Sequence, residues 1–284
     1  MNRRSFLAAS TAALAAQAQP LKSGARSRPE LCIFSKHMAQ FNWDEVGKHT
    51  RQLGFDGVDL TVRPKGHVLP ENVAADLPKA VAAIRAHNLS VPMITTDLTS
   101  TADPAARPTL ATAAQLGIKF WKVGYWRKMN LEQVKPLAHG LFALSREYGL
   151  TAGVHNHSGD YYGALPYEYE MLLQGHDPRV AGFYFDPRHA VVEGGEHGWR
   201  VFLNQALRNL KMVAIKDFFW AKQGGQWKVV NCPLGEGMVD WKTFFEAFAK
   251  ARFTGPMTLH VEYNPKDELA AIARDLEFMK KFVA

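Results

Sequence analysis

Short apolar runs alternate with amphipathic stretches from residue 31 to the end of the chain, making eight strand-then-helix units. Strands are expected at 31–36, 57–62, 91–96, 119–124, 151–156, 182–186, 211–216 and 257–262. Helices are expected at 42–53, 77–88, 105–116, 131–148, 167–173, 199–208, 241–251 and 268–282. Gly54 and Gly149 stand where the first and fourth helices should stop, and Asp76 with Pro78 reads as the cap and first turn of the second. Eight such pairs with short connections predict an α/β fold, a single (β/α)8 TIM barrel, over a doubly wound sheet. The connection 217–239 is longer, and Gly224-Gly225 within it predicts a short hairpin at the face where loops carry chemistry.

Ahead of the barrel the pattern changes. Arg3-Arg4-Ser5-Phe6-Leu7, a small apolar run at 8–16 and Ala16-Gln17-Ala18 follow in the order of a Tat-type signal: twin arginines, apolar segment, A-x-A cleavage site. Residues 1–28 are therefore expected to be signal peptide and linker, and 29–284 the barrel. The expected location is periplasmic or exported, with the Tat translocase as partner during export. No later run nears the roughly 20 apolar residues of a membrane span. The net charge of +7 drops by two without Arg3 and Arg4, and no basic run is interleaved with aromatics, so nucleic acid is not an expected partner. Cys32 and Cys232 fall toward opposite ends of a barrel and lack Cys-x-x-Cys spacing, so neither a disulfide nor a redox site is expected.

The candidate chemistry sits where the apolar runs end. His155 and His157, Asp186 and His189, Lys216 and Asp217, and His260 and Glu262 close the fifth to eighth strands, and a barrel gathers such ends on one face. Side chains two apart on a strand share a face, which pairs His155 with His157, Tyr184 with Asp186, Ala214 with Lys216, and His260 with Glu262. Imidazoles and carboxylates on separate strand ends point to a divalent cation, Mn, Zn, Co or Ni, with His155, Asp186, Glu262 and His260 as expected ligands. Lys216, Glu262 and His189 are the expected catalytic residues. A plain ion pair of Lys216 with Asp217 or Glu236 is the competing structural expectation. His157, Arg63, His67, Lys122, Trp126 and Trp220 are expected to bind substrate, the tryptophans by stacking. Lys36, His37, Tyr125 and Arg127 lie at or beyond the other strand ends.

Six motifs in a fixed order carry a resemblance. They are Gly54-Phe55-Asp56-Gly57-Val58-Asp59-Leu60, Val154-His155-Asn156-His157, Phe185-Asp186-Pro187-Arg188-His189-Ala190, Ile215-Lys216-Asp217, Pro233-Leu234-Gly235-Glu236-Gly237 and His260-Val261-Glu262-Tyr263. Across the mature chain they resemble the xylose-isomerase-like barrel superfamily, particularly its exported sugar phosphate isomerase/epimerase-like branch. The resemblance implies a divalent cation at the ends of strands five to eight, a hydroxyketone bound to it, and protein bases that move protons beside the carbonyl. Two positions depart from the family pattern: His155 stands where many members place a glutamate ligand, and Ala214 where they place a histidine.

These readings converge on a sugar or keto-sugar isomerase/epimerase working by metal-assisted proton abstraction beside a carbonyl. One alternative is a lyase or hydratase acting on oxidised glycosides through the same enolate. Another is a periplasmic carbohydrate-binding protein on a decayed enzyme scaffold, which Ala214 would favour. A small-molecule carbohydrate is the expected partner, and a homo-oligomer is compatible with either enzyme reading.

Overall fold

Helix ends follow from side chains that satisfy the otherwise unpaired amides and carbonyls of the terminal turns. The computed structural model describes residues 27–283; the expected signal peptide, but for its last two residues, lies outside the described residues. The elements are β1 (Glu30–Phe34), α1 (Trp43–Leu53), β2 (Gly57–Val62), α2 (Val73–Ala86), β3 (Ser90–Thr96), α3 (Ala106–Gln115), β4 (Phe120–Lys122), α4 (Leu131–Tyr148), β5 (Thr151–His155), α5 (Pro166–Leu173), β6 (Ala181–Phe185), α6 (Pro187–Gly194), α7 (Gly198–Leu207), β7 (Leu210–Ile215), β8 (Asp217–Gln223), β9 (Gln226–Cys232), α8 (Trp241–Lys250), β10 (Pro256–Leu259) and α9 (Glu268–Val283). At the start of α1, Asn42 accepts from the Glu45 amide while the Glu45 carboxylate accepts from the Asn42 amide. The helix ends at Gly54, whose φ of 90° is a conformation glycine adopts without steric cost.

β1 to β7 and then β10 pair in parallel and close into a barrel, β10 joining β7 to β1. Met93, Tyr184, Met212 and Ala214 fill its interior at zero exposure. The helices pack their apolar stripes on the outside, forming the larger core. β8 and β9 form an antiparallel hairpin with Gly224-Gly225 at its turn, as the sequence predicts. Cys32 and Cys232 are both buried and are not joined in a disulfide. Among the described residues, no helix is long and apolar enough to cross a membrane.

Two expectations need correction. α2 begins one turn early, at Val73, because its buried stripe of Val73, Leu77, Ala80, Val81 and Ile84 runs back past Pro78; Asp76 pairs with Lys79 instead of capping. α6 is an extra helix that the eight-unit reading omits. Asp186 caps it by accepting the His189 amide, and Pro187 opens it.

The loop after the hairpin is anchored by Asp217, which accepts from the amides of Phe218, Gly235 and Val239 and from the Trp241 indole. Neither Asp217 nor Glu236 pairs with Lys216; Glu236 faces Arg274. A Cβ at Gly237 would collide with the Asp217 carboxylate and the Phe218 carbonyl. Gly237→Ala is therefore expected to cost about 1–3 kcal/mol, read as a lower urea midpoint; an unmoved midpoint would show that this loop yields freely.

Candidate active site

The ends of β5, β6 and β7 bring three of the predicted residues around one buried oxygen of a fourth, Asp186, and Lys216 links that oxygen to Glu262 at the end of β10. Asp186, spending Oδ1 on the α6 cap, leaves Oδ2 facing inward, 3.2 Å from Lys216 Nζ, 3.5 Å from His155 Nε2 and 3.7 Å from His189 Nε2. Lys216 Nζ also donates to Glu262 Oε2 at 3.0 Å, and Lys36 Nζ lies 3.2 Å from the other oxygen, Oε1. Asp186 and Lys216 are buried, whereas the Glu262 side chain keeps 23% of its surface open. Beside Glu262 opens a cleft of about 970 Å³, lined also by Lys36, His37, Asn231 and Tyr263, a volume suited to a small ligand.

The protonation pattern follows from partners. His189 Nδ1 faces the Ser158 amide at 3.2 Å and the Arg188 guanidinium at 2.8 Å, both obligate donors, so Nδ1 is an acceptor and the hydrogen sits on Nε2. The Ser158 hydroxyl, at 2.8 Å, then donates to the same nitrogen. His155 Nδ1 lies 3.1 Å from the Tyr125 hydroxyl; with Tyr125 donating, its Nε2–H also faces Asp186. Burial and the Lys216 charge hold both imidazoles well below the usual histidine range, so both are neutral. Burial alone would raise the Glu262 pKa, but Lys216, His260 and Lys36 outweigh it and hold the carboxyl below the usual carboxylate range. The site thus presents an ionised carboxylate at a cleft, backed by an ammonium and two neutral imidazoles, of which His189 turns an N–H inward.

His260 stands one layer deeper. Its Nε2 is 3.2 Å from the Tyr184 hydroxyl, which lies 3.4 Å from Asp59 Oδ2, and its ring stacks on Phe34. The four expected ligands do not form a metal site: among the described residues, no group of three His, Cys, Asp or Glu side chains is placed to hold a metal ion. Asp186 and Glu262 share an ammonium, His260 gives Nε2 to Tyr184 while its Nδ1 stands 4.0 Å from Glu262 Oε1, and Ala214 supplies no donor. The buried His155 Nε2, His189 Nε2, His260 Nδ1 and Asp186 Oδ2 lack hydrogen-bond partners, yet His189 turns an N–H and not a lone pair toward Asp186.

The predicted substrate residues divide. His157 lies at the mouth, its ring 4.1 Å from that of His189, and burial lowers its pKa to about 4. Arg63 reaches the rim, 5.3 Å over the Phe34 ring and 3.8 Å from Asp97. Lys122 is buried in the wall, donating to the Val123 carbonyl and covering the Tyr125 ring. Two others, His67 and Trp126, are corrected, and Trp220 is an exposed residue of the hairpin. His67 has both ring nitrogens within hydrogen-bond distance of Thr61 and the Met38 carbonyl, bracing a loop. Trp220 sits on the hairpin against Phe218 and Met238. Trp126 is 2% exposed and donates to the Thr99 carbonyl. Trp126→Phe is expected to lose about 1 kcal/mol of stability with sugar affinity unchanged by calorimetry; weakened affinity would return the indole to the site.

Asp59, Arg188, Ser158 and Asn231 were not singled out from the sequence. Arg188 donates to Asn231 Oδ1, and Asn231 Nδ2 donates to the Glu262 carbonyl, so the hairpin holds the end of β10 in place. Only Asp59 left a signal, a carboxylate between Val58 and Leu60 in an apolar strand.

Residues 48–282 match the family model described as the xylose isomerase-like TIM barrel. An inosose dehydratase of Geobacillus thermodenitrificans is 27% identical over 153 residues, 49% of this chain and 47% of that protein. The chain spans about half the length of the curated relatives it matches. D-Allulose 3-epimerase from Methylomonas sp. superposes with a TM-score of 0.69 at 16% identity, covering 91% of this chain and 99% of that one. For 3-keto-D-glucoside 4-epimerase from E. coli the TM-score is 0.69 at 14% identity, over 89% and 100% of the two chains. A barrel protein from Mycobacterium smegmatis, solved in complex with magnesium, gives 0.63 at 17% identity, over 90% and 96%. At these identities the structural likeness bears on the fold.

Proposed function

Because the chain belongs to the xylose isomerase-like TIM barrel family, we propose that it is an enzyme that removes a proton from the carbon beside the carbonyl of a sugar or keto-sugar and returns it elsewhere. The observation that carries this reading is the ionised Glu262 carboxylate, open to the cleft and held between Lys36 and Lys216. Glu262 takes the proton. Return to the same carbon from the opposite side gives an epimer, and return to the neighbouring carbon gives an isomer. His157 at the mouth orients substrate hydroxyls, and the buried His189, its Nδ1 held by Arg188 and Ser158 and its Nε2–H turned to Asp186, positions that carboxylate. Family membership implies a divalent cation, and imidazole with carboxylate would suit Mn, Zn, Co or Ni, but the donor set around Lys216 does not fit one, and no step here runs through a metal.

The inosose dehydratase relatives favour a second reading, a lyase in which the same enolate expels a hydroxyl or alkoxyl group from the next carbon. Export by a Tat-type leader, resting on Arg3, Arg4 and Ala16-Gln17-Ala18, belongs to the proposal and points to unphosphorylated substrates. Incubation in D2O with D-allulose, a 3-keto-glucoside or an inosose, followed by proton NMR, tests it. Deuterium entering the carbon beside the carbonyl of an intact sugar supports epimerisation or isomerisation, and an eliminated product supports the lyase. Binding of these sugars with neither outcome would sink both in favour of a binding protein.

A further inference from the structure

Lys216 stands where a cation shared by Asp186 and Glu262 would have to stand. Its ammonium lies 3.2 Å from Asp186 Oδ2 and 3.0 Å from Glu262 Oε2, bridging carboxylates from two strand ends, with 4% of the side chain exposed. A metal ligated by both oxygens must sit about 2.0–2.2 Å from each, in the space the ammonium fills, and like charge opposes any sharing of that space. Two independent features agree. Ala214, one step deeper on the same face of β7, is closed in among Met93, Tyr184 and Met212 and brings no donor atom. His189, whose Nδ1 is held by the Arg188 guanidinium and the Ser158 amide, presents a hydrogen and not a lone pair toward Asp186.

We propose that Lys216 replaces the divalent cation: its ammonium neutralises Asp186 and Glu262 and serves as the electrophile for the substrate carbonyl. An ammonium has three N–H bonds; one donates to Glu262 Oε2, the charge as a whole faces Asp186 Oδ2, and a remaining N–H serves the carbonyl oxygen. As Glu262 takes the proton from the neighbouring carbon, the C–H electron pair becomes the enediolate double bond and the carbonyl π pair moves to oxygen. That oxygen keeps the Lys216 hydrogen bond, and reprotonation of carbon reverses both movements. The proposal takes its carbonyl substrate from the function above, but its test needs no turnover.

Full-length protein, stripped with chelator and dialysed, is titrated with Co(II) and Mn(II) and followed by metal analysis, the visible Co(II) spectrum and thermal unfolding. Wild type is expected to retain no stoichiometric metal, show no ligand-field band and keep its Tm. Lys216→Ala, with two carboxylates left facing each other, is expected to gain one equivalent of Co(II) and to be stabilised by it. Should Lys216→Ala fold only with metal, refolding yield with and without Co(II) reads the same gain. One equivalent of tightly held metal in wild type overturns the proposal, as does a folded Lys216→Ala that binds none. Metal-free wild type without isotope exchange would sink the enolising function and leave the lysine-for-metal assignment standing; metal-loaded wild type with exchange would do the reverse.

Discussion

Glu262→Gln is expected to lower isotope exchange into a keto-sugar by about 10³, the scale a positioned general base contributes, with KM nearly unmoved. The amide oxygen can still accept from Lys216, so the geometry at the end of β10 survives while the proton acceptor is lost. The backbone there is held independently, by Asn231 donating to the Glu262 carbonyl and by the Val261 amide donating to His37 Nε2. Stability should fall by no more than about 1–2 kcal/mol, because the carboxylate is partly exposed and Lys36 is half open to solvent. A loss shared between kcat and Tm would mean that Glu262 is structural. Exchange within tenfold of wild type would move the base elsewhere, with His157 next in position at the mouth.

The barrel was legible because its signals are local: apolar runs, Asn and Gly at helix ends, and turn glycines in the hairpin each act over a few residues. Most of the candidate site was legible for a related reason. Closure of parallel strands carries their C-terminal ends to one face whatever their register, so His155, Asp186, Lys216 and Glu262 had to meet. Which atoms they offer one another was not legible. Lys216 chooses Asp186 and Glu262 over its chain neighbour Asp217 because successive residues in an extended chain point to opposite sides; Asp217 turns outward to the loop amides and the Trp241 indole. The tautomer of His189 depends on Arg188 and Ser158, thirty residues from each other, and the burial of Trp126 on one distant carbonyl. Such facts belong to packing between elements, which periodicity does not encode.

Asp59→Asn is expected to stabilise the protein, increasingly so as pH rises. Asp59 is buried beneath the site, and desolvation raises its pKa to about 7, although Thr95, Arg63, Tyr184 and Lys122 all pull it down. An acid whose pKa is raised by folding is protonated in both states at low pH and carries no penalty there. Between the ordinary carboxylate value and about 7, the unfolded chain ionises while the folded one resists, so wild type loses stability over that window and no further above it. The full penalty is about 4 kcal/mol at 1.36 kcal/mol per pKa unit. Asparagine escapes it and keeps the network: its oxygen accepts from Thr95, its amide donates to the Tyr184 oxygen, and the Tyr184 hydroxyl turns to His260 Nε2. Urea unfolding at pH 3.5 and pH 8 reads the difference directly. Near-equal stabilities at the lower pH and a variant advantage of a few kcal/mol at the higher are the expected result. A variant that is less stable at pH 8 would mean that the Asp59 charge is matched by Arg63 and Lys122, making the layer beneath the site an ion cluster and not a neutral hydrogen-bonded floor.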